Sequence, residues 1–205
     1  MFKTNKKKEV LKMSEQTVLK TSQDTVLNGV NVTQLFDVIE VIKENGEVAK
    51  CELRASNEWL DGAHNRSKIN GYYGALEEHT REKDFIMDND EPPVVLGTDK
   101  AANPMEYLLH ALAGCITTTL VYHAAAKGIR VEKVEARFEG DIDLRGFLGL
   151  PGCNKVGYEQ IRVFIKVEAD ASKKEIEELV KLAQRRSPVF NTITNPVPVN
   201  VELDN

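Results

Sequence analysis

The chain of 205 residues has only three cysteines, Cys51, Cys115 and Cys153. Three is an odd number, they are widely spaced and none forms a CxxC pair. That excludes a secreted disulfide framework and fits a reducing compartment, the cytoplasm. Positive charge is also scarce: 27 Lys and Arg face 32 Asp and Glu, a net charge of -5. A general nucleic-acid surface would be basic, so no nucleic-acid partner is expected. No run approaches the roughly 20 apolar residues of a bilayer span. The basic start MFKTNKKKEVLKM is not followed by the apolar stretch of a secretory signal, so no membrane partner is expected. Phosphate-cradling glycine loops and a serine nucleophile elbow are absent. His64, His79, His110 and His123 stand apart, none with a second His or Cys at ligand spacing, so neither a metal nor a cofactor is expected. There are no internal repeats.

What remains is ordinary for a folded domain: 41% hydrophobic and 29% charged residues, in a chain long enough to bury a sizeable core. Residues 1–30 are polar and aperiodic and read as a flexible N-terminal arm. Val32, Leu35, Phe36, Ile39 and Ile42 then recur at helical spacing, predicting an N-terminal helix over 31–46 that stops at Gly46. The segment EVAKCELRA alternates, which places Ala49, Cys51 and Leu53 on the apolar side of a strand. Asp61-Gly62 signals a turn into a second strand from about Ser67 to Tyr72. Residues 77–100 are charged and rich in turn formers, with Pro92-Pro93 and Gly97 marking irregular chain.

NPMEYLLHALAGC opens the most hydrophobic helix. Asn103 is a good N-cap, Pro104 suits the first helical position, and Glu106 can reach back to the cap amide. Lys127 and Gly128 close it. Leu108, Leu109, Leu112, Ile116, Leu120 and Val121 fall all round the axis, so this helix is expected to be buried on every face, as a core or as a seam shared with another subunit. Two half-buried antiparallel strands follow, through Val134, Ala136 and Phe138 and through Ile161, Val163, Ile165 and Val167, separated by a glycine-rich loop that holds Cys153. Ser172 and Glu175 form a capping box that starts a helix buried along Ile176, Leu179, Val180 and Ala183. The alternating VPVNVEL at the end predicts an edge strand. The fold class is α+β with antiparallel sheets.

Thiol chemistry at Cys115 is the one catalytic option left, beside the alternative that the residue only packs. A working thiol must reach its anionic form, which takes a nearby cation, a base or a helix N-terminus. Cys115 is about three turns into its helix, too far from that N-terminus. Glu106 projects from the opposite side, while Met105, Leu112 and Thr119 share the side of Cys115. Any activating group must come from another segment or another subunit.

The runs GTDKAANPMEYLLHALAGC, WLDGAHNRSKI and RSPVFNTITNPVPVNVEL resemble the OsmC family, the osmotically inducible and organic hydroperoxide resistance proteins. The resemblance extends from about residue 50 to the C-terminus and gives 47–205 as one OsmC-like domain. It implies an intertwined homodimer with two long central helices and sheets built from both chains. It also implies thiol-dependent reduction of organic hydroperoxides, in which one cysteine becomes a sulfenic acid and a second resolves it as a disulfide. On this resemblance Cys115 matches the peroxidatic cysteine. The resolving cysteine of the family's CPV-like motif is replaced: the motif here reads SPV, with Ser187 in its place, and a hydroxyl cannot form a disulfide. The carboxylate that follows NP in the family is Met105 here, and the loop DEPPVVLGTDKAA lacks the family's arginine. Arg66, Arg81, Arg185 and Arg186 are the substitute cations available.

Two readings follow. One is a peroxidase with altered recycling, in which an external thiol reductant or Cys153 regenerates Cys115. The other is a non-catalytic protein of the same fold that binds or senses a small apolar or electrophilic ligand. A hydrolase with Cys115 or Ser187 as nucleophile would need a base, and none is visible.

Overall fold

The computed structural model describes residues 24–153, 155–195 and 197–204. Residues 1–23, most of the expected arm, lie outside them. The arm's last residues form a hairpin, β1 (Val26–Leu27) with β2 (Val30–Asn31). Its turn is Asn28-Gly29, both with positive φ, the pair that suits the twist of a tight hairpin. The Asn28 side chain donates to the Ile129 carbonyl at 2.9 Å and accepts from the Val131 amide at 2.9 Å. One side-chain amide thus imitates a strand partner and ties the hairpin to a site about a hundred residues away in sequence. Helix α1 (Val32–Glu44) follows, its first turn capped by the Asn31 side chain, which accepts from Gln34 N. It ends at Asn45, because Gly46–Ala49 forms a 3-10 turn with the Asn45 side chain accepting from Glu47 N.

That turn corrects the expected strand through EVAKC. Only β3 (Glu52–Leu53) is extended, and Cys51 is exposed instead of facing an apolar side. The local cap at Asn45 overrides the alternation. Strands β4 (Ser56–Asp61), β5 (His64–Ile69), β6 (Tyr72–Gly74), β7 (Glu77–His79) and β8 (Phe85–Asn89) complete two antiparallel sheets, in the orders β3-β6-β7 and β4-β5-β8. The second strand of the expected hairpin begins three residues early, since the turn closes at Gly62 with φ +55. Residues 77–100 are less irregular than expected, for β7 and β8 lie among them. Neither alternates clearly in sequence; β8 is ordered by its pairing with β5, for example Met87 opposite Ser67.

The chain then turns through a loop organised by Asp90. This carboxylate is buried and accepts from the amides of Glu91 at 2.8 Å, Thr98 at 3.2 Å and Lys100 at 3.1 Å, and from the Thr98 hydroxyl at 2.6 Å. Those donors, that hydroxyl above all, hold it well below the usual carboxylate range. Gly97 is obligatory in this loop: a Cβ there would sit 1.7 Å from the Glu91 carbonyl oxygen.

Helix α2 (Pro104–Ala126) starts with the expected capping box of Asn103 and Glu106. Its buried residues, Leu112, Ile116, Leu120, Ala124 and Ala125, run along one side. Within the single chain the helix is thus buried along one side, while Glu106, His110, Gly114, Thr118 and Tyr122 form an exposed stripe at four-residue spacing. By length and composition this helix could cross a membrane, which the sequence reading did not anticipate. In the fold it is the central packing helix. Its inner face rests on β9 (Val131–Ile142) and β10 (Tyr158–Ala169), which pair antiparallel, with Phe138 opposite Val163 and Val134 opposite Val167. The loop between them carries the short helix α3 (Leu144–Phe147). Gly140 leaves room for the Tyr158 ring, which a Cβ would meet at 2.3 Å, and the Tyr158 hydroxyl donates to the Met105 carbonyl at 2.9 Å.

Helix α4 (Lys173–Arg186) begins with the Ser172–Glu175 capping box and buries Leu179 and Ala183 against α2. Each large side chain sealed in this core contributes about 2 kcal/mol. Helix α5 (Pro188–Thr194) follows at once. The expected C-terminal strand is not formed among the described residues: 197–204 have no strand partner, and Val201 and Leu203 are 90% and 85% exposed. Alternation describes a segment fit for a sheet edge, and no edge among the described residues receives it.

Candidate functional site

The corner between α4 and α5 is built on Ser187, which is 0% exposed. Its amide donates to the Ala183 carbonyl at 2.9 Å, ending α4, and its hydroxyl accepts from the Phe190 amide at 3.2 Å, capping α5. With the oxygen already accepting, the hydroxyl proton is free to go elsewhere. It goes to Cys115: Ser187 Oγ donates to Cys115 Sγ at 3.1 Å. Pro188 has no N–H, so the first free amide of α5 belongs to Val189, and that amide also faces the sulfur at 3.5 Å. The Asn191 side chain fixes the corner from outside, donating to the Ser187 carbonyl at 2.8 Å and the Arg185 carbonyl at 3.0 Å. On α2, Thr119 Oγ1 donates to the Cys115 carbonyl at 2.7 Å. The thiol is half-buried.

Among the described residues, the hydrogen-bond partners of the sulfur are this hydroxyl and this amide, both donors. Two donors converging on one atom solvate negative charge there, and they act in place of water. No carboxylate or imidazole touches the sulfur or the hydroxyl among these bonds, so the corner has no general base and gives no support to a hydrolase.

The structure brings together two of the candidate residues, Cys115 and Ser187, and among the described residues no arginine hydrogen-bonds to the sulfur. Arg66, on β5, is spent on Asp88 of β8, with Nε at 2.6 Å from one carboxylate oxygen and a terminal nitrogen at 2.9 Å from the other. His64 approaches the same carboxylate at 3.3 Å. The Arg66 guanidinium holds the Asp88 carboxyl well below its usual range, with His64 adding to it. Tyr107 of α2 donates to the Asp88 backbone carbonyl at 2.8 Å and so joins this sheet to the central helix. Arg81 donates to the Asn70 carbonyl and lies over the rings of Tyr72 and Phe85 at 4.9 and 5.2 Å. Arg186 closes α4 near His123; burial first, then the charges of Arg186 and Lys127, push the His123 imidazole toward its neutral form. Met105 accepts through its carbonyl from Tyr158.

The other two thiols are free as well. Cys153 is half-buried and donates to the Lys155 carbonyl at 3.0 Å; Cys51 is exposed. What the sequence reading missed is the Val189 amide. Its signal was local and legible: Ser-Pro after a helix places a cap and a missing N–H side by side, leaving the next amide unpaired.

A long apolar helix laid on an antiparallel hairpin, crossed by a second helix whose end meets a mid-helix cysteine, defines an α+β protein with a thiol-centred site. Residues 97–202, a little more than half of the chain, match the family described as OsmC-like protein, and the chain belongs to that family. The fold agrees. It is similar to an OsmC-like protein from Mycoplasma pneumoniae, with a TM-score of 0.54 at 19% identity over 71% of this chain and 89% of that one. It is also similar to an OsmC-like protein from Vibrio cholerae O1 biovar eltor, with a TM-score of 0.50 at 13% identity over 69% of this chain and 92% of that one. No curated protein sequence matches.

Proposed function

We propose that the protein reduces organic hydroperoxides at Cys115 and is recycled by an external thiol. The observation that carries this reading is the Ser187 hydroxyl 3.1 Å from the Cys115 sulfur, with the Val189 amide beside it. Both donors would stabilise the thiolate once it forms, and the thiolate is the form that attacks a peroxide. In the first step the thiolate attacks the distal peroxide oxygen. The O–O bond breaks, the alcohol leaves with a proton, and the sulfur is oxidised by two electrons to a sulfenic acid. Ser187 cannot close a disulfide, so the oxidised sulfur waits for a thiol from outside the chain. Such a cycle suits a reducing, cytoplasmic setting.

The working unit in this reading is a homodimer. The exposed stripe of α2 and the strand-like tail Val197–Leu203 are two surfaces of one chain that a second copy would cover, and the family resemblance supports that arrangement.

Peroxide loss with cumene hydroperoxide and dithiothreitol, compared between the protein and Cys115→Ser, tests the chemistry. The variant is expected to fall to the uncatalysed rate. Equal rates for the two proteins would end the peroxidase reading and leave a protein that binds or senses an apolar or electrophilic ligand. Sedimentation tests the dimer: a folded monomer at micromolar concentration rejects it.

A further inference from the structure

The outer side of the α4–α5 corner is a cleft of about 490 Å³, lined by Leu182, Arg185, Arg186, Phe190, Asn191 and Asn195 among others. Its lining includes two arginines, three side-chain amides and no carboxylate. Among the described residues Arg185 and Arg186 take part in no ion pair, as is true also of Arg81 and Arg130, whereas Arg54, Arg66, Arg137, Arg145 and Arg162 do. Basic residues in a last helical turn complement the helix dipole. That accounts for their sign but not for a cleft that gathers both; the Asn191 and Asn195 amides beside them already donate within the corner. At helical spacing the neighbours one turn back are Lys181 and Leu182, so α4 itself offers no acid to neutralise them. In a protein of net charge -5 this is a local reversal of sign.

The cleft adjoins the thiol site through its wall. The Phe190 amide bonds to Ser187 Oγ, and that oxygen bonds to Cys115 Sγ. Arg186 is the residue immediately before Ser187. A pair of guanidinium groups is suited to a planar carboxylate.

We infer that this cleft docks the reductant, and that the reductant is a small thiol bearing carboxylates. The inference rests on the peroxidase reading above and supplies the class of its second substrate. Held by its carboxylate at Arg185 and Arg186, the thiolate attacks the Cys115 sulfenic sulfur. An S–S bond forms, the S–O bond breaks, and the hydroxyl leaves as water with one proton. A second thiolate attacks the outer sulfur of that mixed disulfide, releases Cys115 as thiolate and departs as the symmetric disulfide. Two thiols are oxidised and one sulfenic acid is reduced.

The test does not need peroxide. In the full chain with Cys51→Ser and Cys153→Ser, Cys115 is loaded with a neutral thiopyridyl group, and its release is followed by absorbance. The attacking thiols are 3-mercaptopropionate and cysteamine, compared per unit of thiolate and against the same label on free cysteine. Net charge alone favours the cationic thiol. The cleft predicts that mercaptopropionate is preferred by about fivefold or more at low salt, a modest local steering effect, and that the preference shrinks as salt is added. The double variant Arg185→Gln/Arg186→Gln should lose the preference, and Arg185→Lys/Arg186→Lys should keep most of it, which separates charge from folding. A preference no greater than that of free cysteine, or one that survives in the Gln variant, overturns the inference. Trapping of the peroxide-treated protein with dimedone reports separately on the peroxidase reading. Absence of a Cys115 adduct there sinks that reading, whatever the charge preference proves to be.

Discussion

Ser187 Oγ and Cys115 Sγ are 72 residues apart in sequence and 3.1 Å apart in space. The contact places the C-terminal end of α4 against the middle of α2. It sets the position of the SPV motif over the sulfur to within one hydrogen bond.

A thiol introduced in place of the Ser187 hydroxyl should therefore be close enough to resolve Cys115. Ser187→Cys, treated with one equivalent of cumene hydroperoxide, is expected to form a disulfide between Cys115 and the introduced thiol, since the side-chain atoms need little movement to reach bonding distance. Non-reducing peptide mass mapping would show the cross-linked pair. Recovery of only unlinked, over-oxidised Cys115 would mean that the two side chains diverge beyond the observed oxygen–sulfur contact.

Removing the hydroxyl should affect both stability and reactivity. Ser187→Ala leaves the half-buried Phe190 amide and the sulfur without their shared partner, a loss of about 1–2 kcal/mol. For a chain of this size, that lowers the melting temperature by roughly 2–8 °C. Alkylation of Cys115 by iodoacetamide near neutral pH should slow several-fold, because one of the two donors aimed at the sulfur is gone. An unchanged alkylation rate alongside a lowered melting temperature would assign Ser187 to capping alone.

Asp88 sets an acid limit on the β4-β5-β8 sheet. Its carboxyl is held below its usual range by Arg66, so in the folded state it binds its proton only at lower pH than in the unfolded chain. The stabilisation is present above the unfolded value of about 3.9 and is lost as pH falls through the folded value. Arg66→Gln should be less stable than the parent near pH 6, and the gap should narrow below about pH 4. Chemical denaturation across that range measures it; a gap that stays constant down to pH 2 would show that the ion pair is not its source.

His123 adds to the acid sensitivity through a base that the fold keeps neutral. Burial, Arg186 and Lys127 all disfavour its protonated form. The unfolded chain thus takes up a proton as pH falls below about 6.5 while the folded one resists, and stability declines with acidity over that window. Arg186→Gln should raise the folded titration midpoint of His123, seen directly in its ring proton resonances. A midpoint that does not move would mean that burial accounts for the whole effect.

The helices that carry the site were legible because their signals are local. Asn103-Pro104 with Glu106, and Ser172 with Glu175, satisfy backbone amides within one turn, and both capping boxes are present in the structure. The paired strands β9 and β10 were legible too, since each buries one face and alternates accordingly. The first strand region was read less well. At Asn45 a side-chain cap outcompeted the alternation, and β7 and β8 carry too weak a pattern to stand out without their neighbours. Cys115 and Ser187 were identifiable as candidates, but the arginines could not be sorted by spacing. Arg66 is committed to Asp88, Arg81 to Asn70 and two rings, and Arg186 to the outer cleft beside His123.

From the order of its residues alone, this chain determines its caps, its periodicities and the placing of a lone sulfur in the middle of an apolar helix. Each of these depends on atoms a few residues apart, whose geometry the backbone fixes. The sulfur's surroundings were decided only when α4 packed across α2 through Leu179 and Ala183 and brought the Ser187 hydroxyl and the Val189 amide to it. Contacts over that sequence distance depend on how buried surfaces fit together, and no local pattern encodes them.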